Sequence, residues 1–120
     1  MYQVYFYKTP NGDQPVLDYL TDLLSKKDKD SRIKANKIND YIQILSEYGT
    51  RAGEPYMKHI DGEIWELRPL RDRIFFVAWV DDSFVLLHQF IKKSQKTPLR
   101  EIEKAKREFA DLTERGLSNE

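Results

Sequence analysis

Two groups of cations bracket the most strand-like part of the chain. Arg68, Arg71 and Arg73 crowd one short polar segment; Lys92, Lys93 and Lys96, followed by Arg100, crowd another. Guanidinium groups grip phosphate oxygens through paired hydrogen bonds, and ammonium groups add point charge. Such groups can hold a phosphodiester and stabilise charge that develops on it. A plainer reading also stands, in which the arginines solubilise a turn and pair with Glu66 or Asp72. Glu66 lies two residues before Arg68, so in a strand both project to one face. It is either a proton acceptor beside the arginines or the anion that holds them. Arg73 alternates onto the face of Phe75, Val77 and Trp79, where a cation either snorkels or lines a site. A basic stretch such as 92–96, next to a helix start, suits nucleic-acid backbone as well as solvent.

Other chemistry is sparse. The 120-residue chain has no cysteine, which excludes disulfides, thiolate catalysis and cysteine zinc sites and fits a cytoplasmic protein. His59 and His88 are the two histidines, with no HExxH pattern, so no metal or other cofactor is expected. His88 falls inside an apolar run, where a structural role is expected; His59, near a turn, is a further acid–base candidate. The sequence carries no P-loop or dinucleotide fingerprint. Tyr2, Tyr5, Tyr7, Tyr56, Trp65, Phe75 and Phe90 would stack bases if exposed, but most are expected in the core. Lys+Arg and Asp+Glu are equal at 20 each, so net charge selects no partner and only local clustering does. No apolar run approaches the roughly 18 residues of a membrane span, and no signal peptide is expected.

The elements that position these residues follow from periodicity. Residues 2–7 read as a strand ended by Pro10-Asn11-Gly12. Asp13 is expected to cap a helix with Pro15 in its first turn and Val16, Leu20, Leu23 and Leu24 on its apolar face. A charged connector leads to a second helix from about Asp30 or Ser31, with Ile38, Tyr41, Ile42, Leu45 and Tyr48 inward and Gly49 as terminator. Residues 50–55 read as a loop and 56–60 as a short strand. Asp61-Gly62 signals a hairpin. Strands at 64–68, 73–80 and 84–92 then form an antiparallel meander, with an acidic turn at Asp81-Asp82-Ser83. Thr97-Pro98 opens a last helix with Ile102, Ala105, Phe109 and Leu112 inward. The result is an α+β domain over 1–115 with a small, mostly antiparallel sheet, a helical hairpin and a C-terminal helix, then a frayed tail at 116–120. In a meander the end of one strand lies beside the start of the next. Both cation groups therefore converge at one end of the sheet.

The stretch from Gly62 to Arg68 reads GEIWELR. With Arg73, the run LHQFIKKSQKTP from Leu87 to Pro98, and Ala105, it closely resembles the phage-derived HigB-like toxins of the RelE/ParE superfamily of type II toxin–antitoxin systems. The resemblance implies a helical hairpin packed on a small antiparallel sheet, and a ribosome-dependent mRNA endoribonuclease that inhibits translation. Cleavage in that family is metal-free, with the ribose 2′-OH attacking the adjacent phosphate. It implies catalytic roles for Arg73, Arg68 and Lys93, with Glu66 beside them; Lys58, Arg71, Lys92 and Lys96, cations around the same segments, are expected to bind RNA. It also implies a helix-turn-helix, HigA-like antitoxin, with operator DNA reached only through that antitoxin. Alternatives on the same fold are a gyrase-inhibiting ParE-like toxin and a non-catalytic antitoxin-binding module. The sequence departs from RelE-type toxins in two places. Ile64 and Glu66 occupy strand positions that hold lysines there, and no tyrosine follows Tyr56. Glu66, Lys58, His59 or the ribosome's own groups would then supply the base.

Overall fold

A computed structural model describes residues 1–117. The elements run β1 (Gln3–Phe6), α1 (Pro15–Ser25), α2 (Lys29–Tyr48), a 3-10 turn (Gly49–Ala52), β2 (Met57–Asp61), β3 (Ile64–Leu67), β4 (Asp72–Trp79), β5 (Ser83–Ile91) and α3 (Leu99–Arg115). They build the expected α+β architecture, compatible with the RelE-like fold. The five strands lie in the order β1-β5-β4-β3-β2. β2 to β5 pair antiparallel, whereas β1 pairs parallel with β5.

Alternation splits the sheet into two apolar faces. Leu67, Ile74, Phe76, Phe84 and Leu86 pack under α1 and α2, against Val16, Leu20, Ile38 and Leu45. Ile64, Phe75, Val77, Val85 and Leu87 face α3, against Ala105 and Leu112. Period-2 strands and period-3.6 helices bury one stripe each, and here each stripe meets a partner. A bulge interrupts β5: Phe75 pairs with His88 and Phe76 with Leu86, so Leu87 is the extra residue. Leu87 and His88 consequently both project toward α3, which simple alternation would not allow.

Several local expectations are corrected. The position before α1 is Gln14, not Asp13; Gln14 N–H donates to Asp18 Oδ2 at 3.1 Å, so an acid within the first turn does the capping. α2 begins at Lys29, with the Asp28 carboxylate accepting from Ser31 N–H at 2.9 Å. Leu24 and Tyr48 are exposed, since each helix needs only a narrow stripe to cover the sheet. The segment expected as loop after α2 starts with the 3-10 turn. Pro98, not Thr97, precedes α3. Gly49 ends α2 as expected, at φ +65 and with Tyr2's ring 2.9 Å from where a Cβ would sit. Gly116 closes α3, its N–H donating to Leu112 O at 2.7 Å. Of the frayed tail expected at 116–120, residues 118–120 lie outside the described residues.

Candidate functional site

The meander sets the site. β4 starts where β3 ends and β5 returns: Leu67 pairs with Ile74, Arg73 with Phe90 and Asp72 with Ile91. One step beyond the ladder, Lys92 N–H donates to Arg71 O at 2.9 Å. The two cation groups therefore meet at one end of the sheet. The β3–β4 connection is a tight turn, with Asp72 N–H donating to Pro69 O at 3.0 Å.

Glu66 is the anionic centre of this end, 1% exposed. Its Oε2 lies 3.6 Å from Arg68 Nε and 3.9 Å from Arg73 Nε. Its Oε1 accepts a long hydrogen bond, 3.4 Å, from Thr97 Oγ1, which ties the segment before α3 to the arginines. Arg68 also reaches Glu54 at 3.4 Å. The Arg73 side chain, expected either to snorkel or to line a site, is only 12% exposed. The pairing with Phe90 and the turn's carbonyls draw it inward: its Nη1 donates to Leu70 O at 2.8 Å and Asp72 O at 2.9 Å. Burial pushes its pKa down and Glu66 pulls it back up, while Arg68 lowers it further. A guanidinium nonetheless stays charged. Among the described residues, Arg73 Nε and Asp72 Oδ2 are the buried side-chain polar atoms without a hydrogen-bond partner. Arg73 Nε faces the Glu66 carboxylate at 3.9 Å, too far for a hydrogen bond, so the pair is held by charge alone.

Around this centre, Lys58, Arg71, Lys93 and Lys96 are exposed and Lys92 is half-buried. Among the described residues none of the five has a carboxylate within 4.0 Å. Lys58 pairs directly with Glu66 across β2 and β3, and so projects to the same face. His59 pairs with Trp65 and faces the other way; its Nε2 donates to Gly62 O at 2.7 Å. Phe90, half-buried beside Arg73, is the aromatic that pairing brings to this end of the α3 face. Tyr7 and Phe75 are buried as expected of core aromatics.

Two polar clusters escaped sequence reasoning. Asp72 is buried on the face opposite Arg73, accepting from Tyr19 OH at 2.8 Å and Gln89 Nε2 at 3.0 Å, with Lys34 Nζ 3.8 Å away. Burial, then the neighbouring carboxylate, raises the Tyr19 pKa well above its usual value. His88, buried on the α3 side, has the structural place expected of it: Nδ1 lies 2.6 Å from Glu108 Oε1 and Nε2 2.9 Å from Glu101 Oε1. No local signal revealed these partners, which are 13 and 20 residues away; the helical spacing of Glu101 and Glu108 was the available clue. Among the described residues no group of three or more His, Cys, Asp or Glu side chains is placed to hold a metal ion. Nor is any helix long and apolar enough to cross a membrane.

The α+β fold is compatible with the RelE-like class, and arginines, a buried glutamate and lysines meet at one end of its sheet. The family model for phage-derived Gp49-like proteins (DUF891) matches residues 21–110, three quarters of the chain. The chain belongs to this phage-derived Gp49-like family, a RelE/toxin-like family of toxin–antitoxin systems, which implies an antitoxin partner. No curated protein matches it.

Proposed function

We propose that this chain is a HigB-like toxin that cleaves mRNA on the ribosome in the cytoplasm, without metal or other cofactor, and is held in check by a HigA-like helix-turn-helix antitoxin. The observation that carries this reading is the convergence of Lys58, Arg71, Lys92, Lys93 and Lys96, none with a carboxylate within 4.0 Å among the described residues, around the Arg68–Glu66–Arg73 cluster. That end of the sheet is suited to a polyanionic strand, and phosphate contacts are what cations of this kind supply to RNA.

In the reaction the ribose 2′-oxygen attacks the adjacent phosphorus and gives up its proton. The bond from phosphorus to the 5′-oxygen breaks, and that oxygen takes a proton. The products are a 2′,3′-cyclic phosphate and a 5′-OH. Arg73, through the exposed part of its guanidinium, and Lys93 stabilise the charge on the phosphoryl oxygens. Arg68 supports them. Glu66 acts as a positioning residue: it is buried between the two guanidiniums and holds them in place. His59 faces the opposite side of β2, which leaves Lys58 as the candidate acceptor on the arginine face. Phe90 offers a ring against which a base can stack.

The test is induced expression in bacteria without antitoxin, with mapping of mRNA 5′ ends. Wild type, Lys93→Ala and Arg73→Ala are compared after circular dichroism confirms that each is folded. New 5′-OH ends in translated regions are expected from wild type. Either substitution should lower their yield about 10²-fold, the usual cost of losing one transition-state donor. Undiminished ends from a folded Arg73→Ala variant refute the assignment. Growth arrest without new ends refutes cleavage and points to gyrase.

A further inference from the structure

We infer that the groove between α2 and the β3–β4 turn is the docking site for an acidic amphipathic segment of the protein that controls this chain. This rests on the antitoxin-controlled reading above and assigns it a surface. The groove encloses about 700 Å³ and runs beside the cationic end of the sheet. Its floor is apolar and exposed: Ile33 is 42% exposed, Leu70 48% and Ile91 43%. Lys34, Arg71 and Lys93 rim it, with Asp30 as the carboxylate on its lining. Lys34 leans toward the buried Asp72, but Arg71 and Lys93 have no carboxylate within 4.0 Å among the described residues.

Leu70 makes this patch more than incidental exposure. It is the first central residue of the Pro69–Asp72 turn and sits at φ +57. A turn with positive φ at that position strongly favours glycine, and a leucine there is strained. The chain thus carries a leucine where local energetics disfavour its backbone and where solvent disfavours its side chain. Docking to an apolar surface offsets the second cost. The turn is held in place by Arg73, whose Nη1 binds Leu70 O at 2.8 Å.

The lining selects the occupant. Ile33, Leu70 and Ile91 are aliphatic, so they suit aliphatic side chains of a peptide rather than a stacked base, which prefers aromatic or guanidinium planes. The cationic rim selects carboxylates flanking those side chains. Carboxylates at Arg71 and Lys93 would stand where the proposed site takes phosphates, so the occupant and RNA compete.

The experiment titrates the purified HigA-like antitoxin into wild type, Leu70→Gly, Ile91→Asp and Lys93→Glu by isothermal titration calorimetry. Leu70→Gly relieves the turn, so its melting temperature should not fall, and lost binding then reports on the groove. At least tenfold weaker binding is expected for each variant, with wild-type affinity falling as salt rises. Unchanged affinity in Leu70→Gly and Ile91→Asp, with wild type binding, overturns the groove while leaving the antitoxin reading intact. No binding by wild type overturns both. A single-stranded RNA decamer and sedimentation of the chain alone complete the set. Selective loss of RNA binding in Leu70→Gly, or of self-association, assigns the groove to RNA or to a second copy and overturns the proposal.

Discussion

Replacing Glu66 by Gln keeps its shape and removes its charge. At an effective dielectric of about 20, a unit pair at the Arg68 distance of 3.6 Å attracts by about 4–5 kcal/mol before desolvation is counted, and the Arg73 pair by a similar amount. Desolvation of the buried carboxylate cancels much of that. The larger effect comes from the partners left behind, because removing one member of a buried pair typically costs about 3–5 kcal/mol. Arg68 is 23% exposed and keeps Glu54, so it relaxes toward solvent. Arg73, 12% exposed, has no other carboxylate within 4.0 Å among the described residues. The expected loss is therefore near the lower end, about 3 kcal/mol, or roughly 10 °C in melting temperature for a domain of this size. Urea denaturation followed by circular dichroism measures it. Cleavage should fall together with order in the arginines, and Glu66→Asp, which keeps the charge on a shorter arm, should recover part of both. An unchanged denaturation midpoint with cleavage abolished would refute the positioning role and make Glu66 the base.

His88→Leu should cost about 3–5 kcal/mol by stranding Glu108, which is buried on α3, and the double variant His88→Leu/Glu108→Leu should recover most of it in the same urea titration. Asp111 has its pKa lowered to about 2, by Arg115 first and Tyr7 second. A depressed carboxylate stabilises the fold above its unfolded pKa of about 4. That contribution is lost as pH falls through about 2, so Asp111→Asn should flatten the acid limb of the stability profile. Tyr7 is raised to about 12 by burial and by its hydrogen bond to Asp111. Its contribution is lost as pH rises from about 10 to 12, and ultraviolet titration of Tyr7→Phe should lack that late phenolate.

The sequence by itself determined the elements and much of the candidate site. Alternation and turn residues located the meander, and helical spacing located the inward faces of α2 and α3. Antiparallel connectivity alone placed Arg68, Arg71 and Arg73 beside Lys92 and Lys93, because consecutive strands with short turns have few other ways to pair. Glu66 with Arg68 was legible from period two. Tertiary structure decided whatever depends on residues distant in the chain. The parallel seat of β1 on β5 carries no local signal, because a strand's partner is chosen by which edge is open. The bulge at Leu87 turned His88 toward Glu101 and Glu108, since one extra residue reverses the alternation that sequence reading assumes. Asp72 met Tyr19 and Lys34 only when the helical hairpin closed over the sheet. Burial of Arg73 likewise arose from the turn folding its carbonyls under the guanidinium. Local periodicity reports which way a side chain points; only packing reports what stands in front of it.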